Sequence, residues 1–195
     1  MVEIKDEQAK AIADLVLKIK NVMTLDHVIV GIPTDGVPIV KSVAYILKNS
    51  GEDSSQKLFS YLAASSKYKF IDAHRLNAFK LVNRPLIFVD WRTVSGELGN
   101  MLKENYPNST YAVLSDSNNK ADICATSEDI PKFDFPANYE GTLETIGLWI
   151  EPHTVEELLK LKSTGGEIEY SNISTKQSEA FYKNLFEKID DYIKK

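Results

Sequence analysis

Apolar and polar positions along this chain change period several times, and the changes mark its elements. In residues 3–23, Ile12, Leu15, Ile19 and Val22 recur at spacings of four and three with Lys and Asp between them. That spacing predicts an amphipathic helix covering one face of a sheet. Asp26 to Pro33 is a short run rich in β-branched residues, the pattern of a strand buried on both faces. Thr34-Asp35-Gly36 reads as a turn, and Val37-Pro38 opens a helix with Pro inside its first turn. Val40, Val43, Ala44 and Leu47 form its stripe, and it ends near Asn49-Ser50-Gly51. Lys57 to Leu62 predicts another strand and Ala78 to Val82 a further one, joined by a long polar, basic connection.

The stretch that organises the rest is Pro85 to Leu98. Leu86 to Val89 is an apolar run of strand length, and Asp90 stands where the run stops. A loop carrying Thr93, Val94, Ser95 and Gly96 follows, then Leu98, Met101 and Leu102 at helical spacing. In an open parallel sheet such a loop lies at the carboxyl edge, where ligands bind. The following helix start offers backbone N–H groups and a partial positive charge. Thr110 to Leu114 predicts another strand, Ser115 to Lys120 a polar loop, and Ala121 to Ala125 a short strand-like piece. Residues 129–136 read as irregular, and Leu148 to Ile150 as a short strand. Thr154 with Glu157 and Ser174 with Gln177 are capping patterns for two further helices, the last with Phe181, Leu185, Ile189 and Ile193 every fourth residue. The fold class expected is α/β, a largely parallel twisted sheet flanked by helices. Residues 1–137 form its core and 138–195 a C-terminal extension.

Bulk properties narrow the function classes. A chain of 195 residues can bury a good core in one domain. No apolar run approaches the roughly 18 residues a membrane span needs, and the charged start, Met1 to Glu7, has no signal-peptide core. The single cysteine, Cys124, excludes an internal disulfide. Together these point to the cytoplasm. A net charge of −5 argues against broad nucleic-acid binding. The local basic stretch 67–84 is interrupted by apolar residues and reads as a solvated face.

Two stretches carry a family resemblance. Asp90 to Leu98 resembles the ribose-phosphate loop of type I phosphoribosyltransferases, with Asp90 at the first acid and Ser95-Gly96 at the Thr-Gly turn. Gly31 to Pro38 is similar to the pyrophosphate loop of the same family, with Thr34, Asp35 and Gly36 at the matching positions, and the preceding helix and strand look like those of orotate-type members. The order of elements after residue 110 resembles that of purine-type members. The resemblance covers roughly two-thirds of the chain. It implies transfer of ribose-5-phosphate from phosphoribosyl pyrophosphate to a purine or pyrimidine base, with release of pyrophosphate and with Mg²⁺ on the ribose hydroxyls and pyrophosphate. Asp90 would hold the ribose and the metal, Thr93, Val94, Ser95 and Gly96 the 5′-phosphate, and Thr34, Asp35 and Gly36 the pyrophosphate. In the family a flexible loop closes over the reacting centre between the two phosphate loops. Lys67, Lys69, His74 and Arg75 occupy that position here and would meet charge on the leaving group. The resemblance further implies a homodimer, since members often pair, and gives residues 138–195 the role of a hood over the base or an oligomerisation element.

The same stretch departs from the family at three positions. Trp91 stands where the second acid belongs, Leu98 where the closing hydroxyl belongs, and Glu97 adds a negative charge. A Trp offers stacking on a sugar or base, but its large area favours packing. Glu97 has a second reading, as a first-turn acid that suits the helix dipole. These departures open the alternative of a non-catalytic nucleotide-sensing or scaffold protein on the same fold. A third reading is an unrelated doubly wound domain with two glycine turns.

Overall fold

The computed structural model describes residues 2–24, 26–32, 36–50, 59–61, 83–134 and 176–194. In chain order they form α1 (Asp6–Val22), β1 (Val28–Gly31), α2 (Gly36–Asn49), β2 (Phe59–Tyr61), β3 (Leu86–Thr93), α3 (Glu97–Asn105), β4 (Ser109–Asp116), β5 (Ile123–Thr126) and α4 (Lys176–Ile193). The expected strand at 78–82, the strand at 148–150 and the helix opening at Thr154 lie outside the described residues. No helix among the described residues is long and apolar enough to cross a membrane.

Among the described residues all four strand pairings are parallel, in the order β2-β1-β3-β4-β5. The expected α/β class with a parallel sheet flanked by helices is what forms. The chain leaves β1 towards one edge and β3 towards the other, so the order reverses between these two strands. In doubly wound sheets that reversal opens a crevice at the carboxyl ends of the strands.

Strand periodicity sorts the side chains onto two faces. Ile29, Ile87, Val89 and Trp91 join α1, α2 and α4 in the larger core. Val28, Val30, Leu86, Phe88, Tyr111 and Val113 face α3, whose Leu102 is buried against them. The stripe expected on α1 is buried at Ile12, Leu15 and Ile19, while Val22 at its end is exposed. Buried Gln8 anchors the start of α1: its Oε1 accepts from Lys5 N at 2.8 Å, and its Nε2 donates to Pro131 O at 2.8 Å. The fourfold repeat of the last helix is buried at Phe181, Leu185 and Ile189, in the same core as α1. Tyr45 of α2 ties α4 down, stacking on Phe186 with centroids 4.2 Å apart and donating to Asp190 Oδ2 at 3.1 Å. The remainder of the expected extension, 138–175, lies outside the described residues.

β3 is longer than its apolar run suggests. The strand continues past Asp90 to Thr93, because β4 continues beside it: Asp90 pairs with Val113, Arg92 with Ser115 and Thr93 with Asp116. Trp91 supplies the apolar anchor that holds this polar end in the sheet. It is 1% exposed, donates from Nε1 to Ile130 O at 2.8 Å, and meets Phe133 edge-on at 5.1 Å. Truncating a buried Trp costs about 3–5 kcal/mol, so position 91 serves packing on the α1/α4 side of the sheet.

The step from β4 to β5 is unusually short. Parallel neighbours normally need a crossover of about a dozen residues or more, yet residues 117–122 alone bring the chain back so that Ile123 pairs with Ala112. Asp116 makes the return feasible. Its Oδ1 accepts from Asn118 N at 3.1 Å, and its Oδ2 accepts from Lys120 N at 2.6 Å and Ala121 N at 2.7 Å. Asp122 closes the loop onto Tyr111, its Oδ2 accepting from Tyr111 N at 2.8 Å and its N donating to Tyr111 O at 2.9 Å. Lys18 of α1 donates to Cys124 O at 2.7 Å and Ala125 O at 3.2 Å, so a charged side chain covers carbonyls of the edge strand.

Candidate functional site

At the carboxyl ends of β1 and β3 the backbones approach closely. Ile32 N donates to Val89 O at 2.8 Å, which carries the β1–β3 ladder one residue beyond β1, and Gly36 N donates back to Ile32 O at 2.9 Å. A Cβ on Gly36 would lie 2.1 Å from Val89 O. Only glycine fits there, because the first residue of α2 rests on the β3 backbone. Ile32 and Gly36 are thereby both held against Val89, the residue before Asp90. Thr34 and Asp35, which complete the expected pyrophosphate loop, lie outside the described residues, as do Lys67, Lys69, His74 and Arg75.

The second loop is shorter than the sequence suggests, since β3 takes up Thr93. Val94, Ser95 and Gly96 alone join strand to helix. Ser95 Oγ accepts from Glu97 N at 3.2 Å, a hydroxyl turn that sets the first helical residue. Gly96 is left-handed with φ 76°, and its carbonyl accepts the first helical bond, from Asn100 N at 2.9 Å. The Lys120 side chain lies across it, its Cβ 3.0 Å from where a Gly96 Cβ would stand. Asn118 Nδ2 donates to Val94 O at 3.0 Å, so the return after β4 and the loop after β3 are joined. Glu97 is exposed on the first turn of α3, where an acid suits the helix dipole. Val94 is 61% exposed, an apolar side chain at the loop tip.

Asp90 is half-buried towards the carboxyl end of β3. Its Oδ1 accepts from Trp91 N at 2.7 Å, and its Oδ2 accepts from the Tyr111 hydroxyl at 3.3 Å. Tyr111 is 1% exposed. Burial pushes its phenol well above the ordinary range, and the Asp90 charge adds to this. Thr93 at the end of β3 is itself buried. The structure brings Gly36, Asp90, Thr93, Val94, Ser95 and Gly96 to one edge of the sheet. Trp91, adjacent in sequence to Asp90, points to the other face.

Three residues of this edge escape a reading of the sequence. Tyr111 looks like one more apolar strand residue, and Asp116 and Asp122 look like ordinary loop acids. Only the Asp-Ser-Asn-Asn run hints at a tight turn. Among the described residues no group of three His, Cys, Asp or Glu side chains stands together to hold a metal. Mg²⁺ often takes one or two carboxylates together with ligand oxygens, and a single half-buried carboxylate such as Asp90 fits that mode.

No protein-family model matches the chain, and no curated protein sequence matches it. Among solved structures it is similar to a hypoxanthine-guanine-xanthine phosphoribosyltransferase, with 14% identity and a TM-score of 0.48 over 72% of this chain and 89% of that one. It is also similar to the HGPRT-ase from Leishmania tarentolae in complex with GMP, with 14% identity and a TM-score of 0.43 over 72% of this chain and 91% of that one. At these identities each is a likeness in fold.

Proposed function

We propose that the chain is a divergent phosphoribosyltransferase that binds phosphoribosyl pyrophosphate in the β1/β3 crevice, passes its ribose-5-phosphate to a purine or pyrimidine base and releases pyrophosphate. The observation that supports this reading is the contact of Ile32 and Gly36, which flank the first phosphate-type loop, with the Val89 carbonyl one residue before Asp90, where the strand order reverses. Asp90 would accept from the ribose hydroxyls and share Mg²⁺ with ligand oxygens. When bound, that ion would neutralise charge on the pyrophosphate. Ser95 and the amides at the start of α3, around Val94 to Gly96, would seat the 5′-phosphate, with Thr93 behind them. Thr34 to Gly36 would seat the pyrophosphate, and Lys67, Lys69, His74 and Arg75 would meet the charge on it as it leaves. Residues 138–175 would form a hood over the base or a contact between two copies of the chain.

Two observations favour a second reading, a non-catalytic nucleotide sensor or scaffold. Trp91, at the place of the family's second acid, is committed to the core, and Glu97 puts negative charge on the first turn beside the phosphate seat. Calorimetry separates these readings. Titration of phosphoribosyl pyrophosphate with Mg²⁺ should give saturable binding for the enzyme, and silence at millimolar ligand rules the enzyme out in favour of the second reading. Pyrophosphate release with a panel of purine and pyrimidine bases then selects the enzyme, and binding without release selects the sensor.

A further inference from the structure

We infer that Tyr111 is a positioning residue for the ribose-phosphate site: held rigidly between β4 and α3, it fixes the carboxylate plane of Asp90 and sets the start of α3 against it. This rests on the binding reading above and deepens it.

The ring has nowhere to go. It is 1% exposed, and a Cβ on Gly99 would lie 2.7 Å from its Cδ1, so α3 lies directly on the ring through a glycine notch. Its own backbone is clamped on both sides by Asp122, N to Oδ2 at 2.8 Å and O from N at 2.9 Å. From this fixed base the hydroxyl reaches Asp90 Oδ2 at 3.3 Å, while Trp91 N holds Oδ1 at 2.7 Å. Turning the carboxylate about Cβ–Cγ breaks both bonds at once. The phenol bond is longer than an ordinary O–H···O contact, so its contribution is orientation more than strength. Gly99 is also in the first turn of α3, which begins at Glu97. The same ring therefore determines where the Val94 to Gly96 loop delivers its amides relative to Asp90. A sugar hydroxyl and a phosphate on one ligand need those two groups at a fixed separation, and a preset separation removes the cost of arranging them on binding.

The test uses Tyr111→Phe, which keeps the ring in its notch and removes only the hydroxyl. By calorimetry with Mg²⁺, ribose 5-phosphate should bind about 5- to 10-fold more weakly than to the wild type, and inorganic phosphate should bind equally well. In an Asp90→Ala background the same change should have no further effect on ribose 5-phosphate. Unchanged ribose 5-phosphate affinity, an equal loss for both probes, or a full additive loss in the Asp90→Ala background would each overturn the inference. If the wild type binds neither probe, the ligand reading fails by itself. The Tyr111–Asp90 link is then decided by denaturant unfolding of the same four proteins: a combined loss smaller than the sum keeps the link, and additivity removes it.

Discussion

Asp90 and Asp116 sit at the carboxyl halves of neighbouring strands, and they do different things. Asp116 is 1% exposed, and its two oxygens take three backbone N–H groups from the residues that immediately follow it. Asp90 is half-buried, with one backbone N–H on one oxygen and a phenol on the other. Burial alone would rank Asp116 as the more unusual acid and the better candidate for chemistry. The partners reverse that order. An acid enclosed by the amides of its own loop is committed to folding that loop. An acid oriented by a side chain from the next strand, at the carboxyl edge where the strand order reverses, is the one that the proposed ligand would meet.

Asparagine at each position breaks or sharpens this contrast most strongly. In Asp116→Asn the amide nitrogen must face either Asn118 N or the pair Lys120 N and Ala121 N, since both oxygens now accept from N–H groups. Donor then meets donor in a buried turn. Losing charge-assisted bonds of this kind should cost about 3 kcal/mol, a fall of roughly 6–12 °C in Tm for a chain of this size. Calorimetric melting measures it, and a loss under about 1 kcal/mol would mean that the loop does not depend on the acid.

Asp90→Asn should be far milder. The amide oxygen can keep Trp91 N, and the Tyr111 hydroxyl can turn to accept from the new NH₂, because a phenol is donor and acceptor at once. Stability should change by less than about 1 kcal/mol, while Mg²⁺-dependent binding of phosphoribosyl pyrophosphate should fall at least about tenfold. If Asp90→Asn melts as early as Asp116→Asn, both acids are structural and the contrast is lost.

Much of the frame was legible because it follows from periodicity. The stripe of α1, the doubly buried run of β1 and the fourfold repeat of α4 each fall where their apolar spacing puts them. The end of β3 did not, since Asp90 and Arg92 are polar and only pairing with β4 keeps them extended. The glycines were legible as turn residues, but the reason at Gly36 is a Val89 carbonyl from another strand. The same limit applies to the site. Asp90 and the Ser95-Gly96 turn could be picked out as adjacent residues in one loop. Tyr111 could not, because its role depends on its alignment with Phe88 and on a notch at Gly99, contacts made only when β4 and α3 pack.

The smallest expected effect compares the two acids through their shared neighbour. Tyr111 ionises above its ordinary value of about 10, chiefly through burial, then through the charge and hydrogen bond of Asp90, with Asp116 the least of the causes. Between the unfolded and folded values the folded chain keeps a proton that the unfolded chain loses. This contribution to stability is therefore complete below about pH 10 and is lost as pH rises through the folded value. Asp90→Asn should bring the ionisation of Tyr111 down towards the ordinary range, and Asp116→Asn should move it less. The chain has nine tyrosines, so the tyrosinate absorbance of each variant is read as a difference from the same variant carrying Tyr111→Phe. Equal movement in both variants, under conditions where both stay folded, would mean that the phenol responds to net charge at the sheet edge and is not specifically paired with Asp90.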